Sequence, residues 1–169
     1  MTLMQELKEH LPQSVTKLTE EILELESAIV LVIEKKTGVV GANSAFSNSL
    51  PFRSLDEFRH KHKDISELFI PSKQTLGSAK PFAWLSEVLA LPDREHKVRL
   101  LDKKGKERLF GVKVKETVAE GKELFIAQFD DLSAFEEAKR AQTYFEEFKQ
   151  KFLSSLSHEF RTPMNGIIG

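Results

Sequence analysis

The stretch His96 to Ser133, HKVRLLDKKGKERLFGVKVKETVAEGKELFIAQFDDLS, decides the fold. Val98 and Leu100 alternate on one face of the run His96 to Leu101, and Phe110, Val112 and Val114 alternate on one face of the next run after the turn at Asp102 to Gly105. Each run therefore has an apolar residue at every second position, the pattern of a strand that lies with one side on a core. Asp102 to Gly105 makes the first turn and Glu120-Gly121 the second. Leu124 to Phe129 is apolar almost throughout, which predicts a third strand in a buried, central position.

Toward the N-terminus the same logic finds two more strands. Ala28 to Ile33 is β-branched and apolar, Thr37-Gly38 punctuates, and Val39 to Ala42 returns as the second strand of a hairpin. Between this hairpin and His96 the pattern is helical and broken. Asn43 to Leu50 reads as a short helix capped by Asn43 or Ser44. Ser54 to Ile70 reads as short helices separated near Lys63-Asp64, and Pro71 to Lys80 as a loop. After Pro81, the residues Phe82, Leu85, Val88 and Leu89 recur at helical spacing up to Pro92. Two strands, several short helices and three strands make an α+β domain, with an antiparallel sheet and the helices gathered on one face.

Helices are expected on both flanks. Leu7, Leu11, Val15, Leu18, Ile22 and Leu25 form an amphipathic stripe over residues 2–26. Thr2 and Gln5 suit a capping box at its start, and Pro12 divides it, with a second helix from about Ser14. That stripe lies on the sheet or pairs with a second chain. Downstream, neither Gly nor Pro occurs between Gly121 and Pro163, so nothing stops a helix that starts with the capping pair Ser133 and Glu136. Ala138, Ala141, Phe145, Phe148 and Phe152 fall at alternating three- and four-residue steps, the seam of a coiled coil or helical bundle. Glu136 with Arg140 and Glu147 with Lys151 add outer charge pairs, each worth ~0.2–0.5 kcal/mol. From Ala134 to Thr162 the helix would span roughly 43 Å, and a parallel homodimer is the simplest way to bury its phenylalanines. After Phe152 the seam moves to Leu156 or Ser155, as where a coiled coil enters a four-helix bundle.

Composition sets limits on function. The 169 residues, 40% of them hydrophobic, suffice for one domain with appendages. With 25 basic and 26 acidic residues the net charge is -1, which argues against a nucleic-acid-binding surface. No apolar run approaches the ~18–20 residues that cross a bilayer, and Met1 to Leu11 lacks the layout of a secretory signal, so a cytoplasmic location is expected. The absence of cysteine removes disulfides, thiolate metal sites and cysteinyl cofactor adducts.

Chemistry-bearing residues crowd into Phe152 to Gly169, FLSSLSHEFRTPMNGIIG. On a helix His158 and Thr162 share a face, with Glu159 beside His158. A neutral imidazole is a competent nucleophile near pH 7, and a neighbouring carboxylate fixes its tautomer and stabilises the charge that develops. Phosphoryl acceptance fits this set. Arg161 is placed to hold phosphate or a partner's carboxylate, and the Thr162 hydroxyl to orient a water for the reverse hydrolysis. Pro163 predicts a kink just after this turn. His-Glu-x-x-His would bind zinc, but the fifth position is Thr162, so no metal site is expected. From these residues alone, a solvent-facing helix that carries a His beside a Glu is the simpler reading.

The whole string decides otherwise. It resembles the H-box of sensor histidine kinases in Phe152, Leu153, Ser157, His158, Glu159, Arg161, Thr162, Pro163, Asn165 and Gly166. The resemblance implies that His158 is the phosphoacceptor, Glu159 the general base that activates it, and Thr162 the support for phosphatase chemistry in the pattern Glu-x-x-Thr. The Asn-Gly-Ile-Ile-Gly tail is common in hybrid kinases and points to a receiver domain further on.

A second resemblance, over about Glu26 to Ser133, is to the PAS domain. It rests on Asn43 with Phe46 after the opening hairpin, on the Asp102-Lys-Lys-Gly105 turn, and on Asp131-Leu132-Ser133, which is similar to that family's Asp-Ile-Thr exit signature. The expected organisation is an N-terminal helical segment over 1–26, a PAS sensor domain over 27–133, and a connecting helix with the start of the phosphotransfer domain over 134–169. Without cysteine, neither the flavin adduct of light-oxygen-voltage domains nor the thioester chromophore of photoactive yellow proteins can form. Haem suits poorly, because Pro81 to Leu91 has no His; His60 and His62 read as solvated helix residues and His96 as a strand start. Trp84 could stack on a flavin, but a lone Trp with Phe82 and Leu85 at helical spacing reads as core. The expected pocket holds a small apolar metabolite or nothing.

These resemblances imply the sensory and phosphoacceptor part of a two-component kinase, with a response-regulator receiver domain as partner. A PAS change would shift the linked helices and move His158 relative to a kinase domain that binds ATP. No Gly-rich phosphate loop occurs in the chain. The chain is expected to be a fragment that lacks the ATP-binding domain and is inactive alone. The alternative is a non-enzymatic PAS dimerisation module with an unused H-box.

Overall fold

The computed structural model describes residues 13–77 and 80–168, and side chains over 17–77 and 80–161. The chain divides into two compact units, Met1–Leu132 and Ser133–Gly169.

Among the described residues the first unit begins with helix α1, Gln13–Leu25, and strands β1, Ile29–Glu34, and β2, Gly38–Ala42. Short helices follow: α2, Ser44–Ser49, α3, Leu55–Lys61, a 3-10 turn at Ile65–Leu68, and α4, Ala83–Ala90. Strands β3, His96–Leu101, β4, Glu107–Ala119, and β5, Lys122–Asp131, complete it. The five strands form one antiparallel sheet in the order β2-β1-β5-β4-β3. The α+β architecture is the expected one, and the apolar run Leu124 to Phe129 does lie on the central strand. The capping pair Thr2 and Gln5, with Leu7, Leu11 and Pro12, lies outside the described residues.

Alternation in the strands becomes burial in the sheet. Ile29, Leu31 and Ile33 pair across with Phe129, Ala127 and Phe125, and all six are buried. Phe46 of α2, Phe58 of α3 and Trp84 and Leu85 of α4 join them in one core. Each fully buried side chain of this size contributes about 1.5–3 kcal/mol, so the helices are held to the sheet mainly by these aromatic anchors. Leu18, Ile22 and Leu25 of α1 are exposed, so that stripe does not pack on the sheet through these residues.

Two local details differ from the pattern-based reading. Asn43 stands at the N-cap position of α2 but makes no side-chain cap bond. Its amide is spent elsewhere: Oδ1 accepts from Val30 N–H at 3.0 Å, and Nδ2 donates to the carbonyls of Ala28 at 2.9 Å and Leu23 at 3.3 Å. It thus ties the end of α1 to the entry of β1, a buried task that outweighs an exposed cap. Phe82 does not begin α4 as a helical residue; it caps that helix in the left-handed region, with φ 61°.

Hairpin turns fix how far the strands reach. Gly38 has φ 98°, and a Cβ placed there would come within 2.6 Å of the Lys63 carbonyl oxygen, so only glycine lets the β1–β2 turn close on that backbone. At the other end, Glu120 and Gly121 both have positive φ, which suits a two-residue turn between twisted strands. The β4–β5 ladder runs to Ala119 opposite Lys122, whereas the β3–β4 ladder stops at His96 opposite Val112.

The second unit is helix α5, Ser133–Ile168, of 36 residues and so roughly 54 Å long. The helix continues past Pro163, whose missing N–H removes one intrahelical bond without ending the helix. Among the described residues no helix is long and apolar enough to cross a membrane.

Candidate functional site

The absence of Gly and Pro between Gly121 and Pro163 gives the stretch from Phe152 an uninterrupted helical backbone, and α5 sets the positions of its side chains. His158, Glu159 and Arg161 are all exposed. Thr162 lies on the same helix one turn beyond His158; its side chain is outside the described residues. An exposed imidazole with a carboxylate at the next position can reach a phosphoryl donor brought by another domain, which a buried histidine could not. Further up the helix, Glu136 and Arg140 form the expected ion pair at 3.0 Å. Phe145, Phe148 and Phe152 are 62%, 62% and 53% exposed, and the rings of Phe148 and Phe152 lie parallel with centroids 6.4 Å apart. Leu156 is half-buried while Ser155 is exposed, so the apolar stripe passes through Leu156, and Phe160 extends it by one more turn.

The core of the sheet unit is packed with aromatic side chains. Phe46, Phe52 and Phe58 stack or meet edge to face at 5.3–6.0 Å, and Trp84 contacts Phe69 and Phe129 at 5.6 and 5.9 Å. Trp84 is core, and its indole N–H donates to the fully buried carboxyl of Asp64 at 3.1 Å. Asp64 also accepts from Phe82 N–H at 2.7 Å and Ser66 Oγ at 2.5 Å. The sequence treats Lys63-Asp64 only as a break between helices. Its one visible signal is the spacing of Asp64 and Glu67, a capping-box pair that the 3-10 turn does form.

Among the described residues, the histidines outside α5 have structural partners. His60 Nδ1 donates to the Asp56 carbonyl at 2.7 Å. His62 is half-buried rather than solvated: it stacks on Phe58 at 5.4 Å and meets Glu67 Oε2 at 2.9 Å. Burial pushes the Glu67 carboxyl up, but bonds from His62 and from the N–H groups of Lys63 and Asp64 outweigh it and hold the carboxyl below its ordinary value. His96 is buried and lies within 2.9 Å of the Leu91 carbonyl through Nε2. Among the described residues no three His, Cys, Asp or Glu side chains cluster as a metal ion would require.

The Asp102-Lys-Lys-Gly105 turn has an electrostatic lock. Asp102 Oδ1 accepts from the N–H groups of Lys104 and Lys106 at 2.8 and 3.0 Å, and Oδ2 from Arg108 Nε at 3.0 Å. The Lys106 N–H and then Arg108 hold the Asp102 carboxyl below its ordinary range. A lowered folded-state pKa means that the ionised group favours the folded state. Its contribution is complete above about pH 4 and fades as pH falls through the lowered value. The urea midpoint of Asp102→Ala is therefore expected to lie below that of the unaltered chain at pH 7, with the gap closing toward pH 2.5. A gap that is constant with pH would show that the carboxylate's charge has no part in the turn.

Comparison with solved structures follows from this geometry. The chain is similar to the PAS domain of a protein from Desulfitobacterium hafniense, at 20% identity and a TM-score of 0.50, over 66% of this chain and 99% of that one. It is also similar to an RNA-binding light-oxygen-voltage receptor, at 12% identity and a TM-score of 0.54, over 82% of this chain and 39% of that one. A sensory box histidine kinase/response regulator from Burkholderia thailandensis aligns at 14% identity and a TM-score of 0.44, over 80% of this chain and 97% of that one. No family model and no curated relative matches the chain. The five-strand antiparallel sheet with its short helices and the long C-terminal helix is a PAS-like fold.

Proposed function

We propose that this PAS-like chain is the sensory and phosphoacceptor portion of a two-component sensor histidine kinase, with His158 as the residue that accepts phosphate. The observation that carries the reading is that the string from Phe152 to Ile168 lies on a single helix, with His158, Glu159 and Arg161 all exposed. In the proposed reaction a ring nitrogen of His158 attacks the γ-phosphorus of ATP held by a separate domain of the parent protein. An N–P bond forms, the bond to the bridging oxygen breaks, ADP leaves, and Glu159 takes the imidazole proton. Arg161 holds phosphate or a partner's carboxylate. Thr162, four residues beyond His158, orients a water when the phosphoryl group is hydrolysed. The phosphoryl group then passes to an aspartate of a receiver domain.

The test is phosphorylation with γ-labelled ATP in a version extended past Gly169. Acid-labile label that vanishes in His158→Gln, with the fold and association state unchanged, is the expected result. A folded, ATP-binding dimer that takes no label would instead favour a non-enzymatic PAS dimerisation module.

Signal passage is proposed to run through α5 as a lever. Inserting one residue between Ala141 and Phe148 rotates everything beyond it by about 100° on a 3.6-residue helix. Loss or inversion of signal dependence is expected in the full-length protein, and unchanged dependence would sink the lever.

The chain has no cysteine, so whatever the sensor unit binds is not held by a cysteinyl bond.

A further inference from the structure

The sheet has an interrupted edge. Strand β3 pairs with β4 only as far as His96 opposite Val112, yet β4 continues through Lys113 to Ala119, bound on its other side to β5. Just before His96 the chain turns away, with Arg94 N–H donating to the Leu91 carbonyl, so the place in line with β3 is left open. Among the described residues no strand occupies it. A strand edge of this kind presents a row of backbone donors and acceptors. A cavity of about 560 Å³ sits at the head of the gap, with Asp93, Arg94, Glu95, Lys113 and Asp130 as its charged lining and Leu132 on its apolar side, so its charge is mixed and the selection of a partner's charge falls to the lysines along the strand.

The side chains say what would fill it. Lys113 and Lys115 are exposed and, two apart, share one face of the strand, while Val114 points to the other face and packs against the core. Neither Lys113 nor Arg94 has a carboxylate at ion-pair distance among the described residues, whereas nearby Glu95 is taken by Lys97 at 3.0 Å. A second copy of β4 fits poorly. In an antiparallel pair that keeps each face on its own side, registers centred on Val114, Lys115 or Glu116 set Lys113 against Lys115, Lys115 against itself, or Glu116 against itself, and the register centred on Thr117, which avoids like charges, pairs only Lys115 to Ala119 and leaves Lys113 and Val114 uncovered. An acidic residue at every second position would instead meet both lysines, with an apolar residue between them beside Val114.

We propose that the free edge of β4 from Lys113 to Val118, with its adjoining cavity, is a strand-addition site for an extended partner peptide that alternates acidic and apolar residues. Main-chain bonds supply the ladder, and Lys113 and Lys115 select the charge. The site adjoins the exit of the sheet unit. Leu132 lines the same cavity, donates its N–H to the Leu109 carbonyl at 2.8 Å, and lies so close to Gly111 that a Cβ there would come within 3.1 Å of it. An occupant therefore bears on the residue that precedes α5. The inference rests on the sheet edge alone and is independent of the kinase reading.

The experiment titrates the whole chain with a labelled, end-blocked heptapeptide alternating Glu and Val, and with its Lys and Val counterpart, while following backbone amide exchange. The acidic peptide is expected to bind at least tenfold more tightly, to weaken as salt rises, and to slow exchange in Lys113 to Val118. The double variant Lys113→Glu, Lys115→Glu, whose changed side chains are exposed, is expected to reverse the preference. Equal binding of the two peptides, a preference that survives the reversal, or no binding would overturn the proposal. So would protection of the same amides by self-association of the chain without peptide.

Discussion

Asp64→Ala is expected to lower the stability of the sheet unit by about 3–5 kcal/mol, a third or more of what a domain of this size usually has. The carboxyl group is fully buried and accepts from the Trp84 indole, the Phe82 N–H and the Ser66 hydroxyl. Alanine would leave those donors without their acceptor in an interior that water does not reach, and each such loss costs about 1–3 kcal/mol. The Phe82 bond matters beyond its own strength, because Phe82 sits at φ 61° and this contact helps hold an unfavourable backbone conformation at the start of α4. Asp64→Asn, which keeps one acceptor oxygen and the shape, is expected to fall between. The decisive comparison is a double-mutant cycle with Trp84→Phe. If the indole bond is what Asp64 serves, Trp84→Phe costs at least about 1 kcal/mol less in the Asp64→Ala background than alone. Urea midpoints that add independently would refute the network, and an Asp64→Ala midpoint equal to that of the unaltered chain would remove it altogether.

That network was also the least legible part of the sequence, for a physical reason. Strand alternation reports which residues face a core, so Ile29, Leu31, Ile33, Phe125 and Phe129 were readable, and the central place of β5 with them. A buried aspartate breaks that rule, and only its spacing to Glu67 hinted at a local role. Asn43 stands at the cap position but departs from the expected capping bond for a related reason. Its residue type favours a cap, but the competing carbonyls of Leu23 and Ala28 come from segments that only the fold brings near. The length of β4 was hidden too. After Val114 the apolar alternation stops, and Lys115 to Ala119 stay extended because β5 pairs with them. An edge exists where a neighbouring strand ends, so the notch beside His96 has no signature in sequence. The string around His158 is the opposite case: its residues are consecutive on one helix, so its pattern is legible without any tertiary contact.

The same helix carries the prediction with the largest effect on association. Phe145→Gln, Phe148→Gln and Phe152→Gln together are expected to weaken the proposed homodimer by at least about a thousandfold in dissociation constant. Burying a whole side chain of this size is worth about 1.5–3 kcal/mol. These rings are 62%, 62% and 53% exposed in the single chain, so pairing would gain on the order of 1 kcal/mol from each. Six rings per dimer give roughly 6 kcal/mol, which exceeds the ~4 kcal/mol that a thousandfold change requires even after some loss of side-chain freedom. Glutamine is chosen because its helix propensity is close to that of leucine, so the helix itself is not the variable. Tyr144 is more exposed than the phenylalanines, but beside Phe145 and one turn before Phe148 it flanks the seam rather than filling it, and Tyr144→Gln should change the dissociation constant far less than the triple change. Sedimentation equilibrium across a concentration series reads both variants, and urea unfolding of the sheet unit checks that it is unaltered. If the triple variant associates as tightly as the unaltered chain, the phenylalanine seam is not the interface. If Tyr144→Gln is as damaging as the triple change, the helices meet on a different face, and the lever that would carry a signal to His158 turns about a different line.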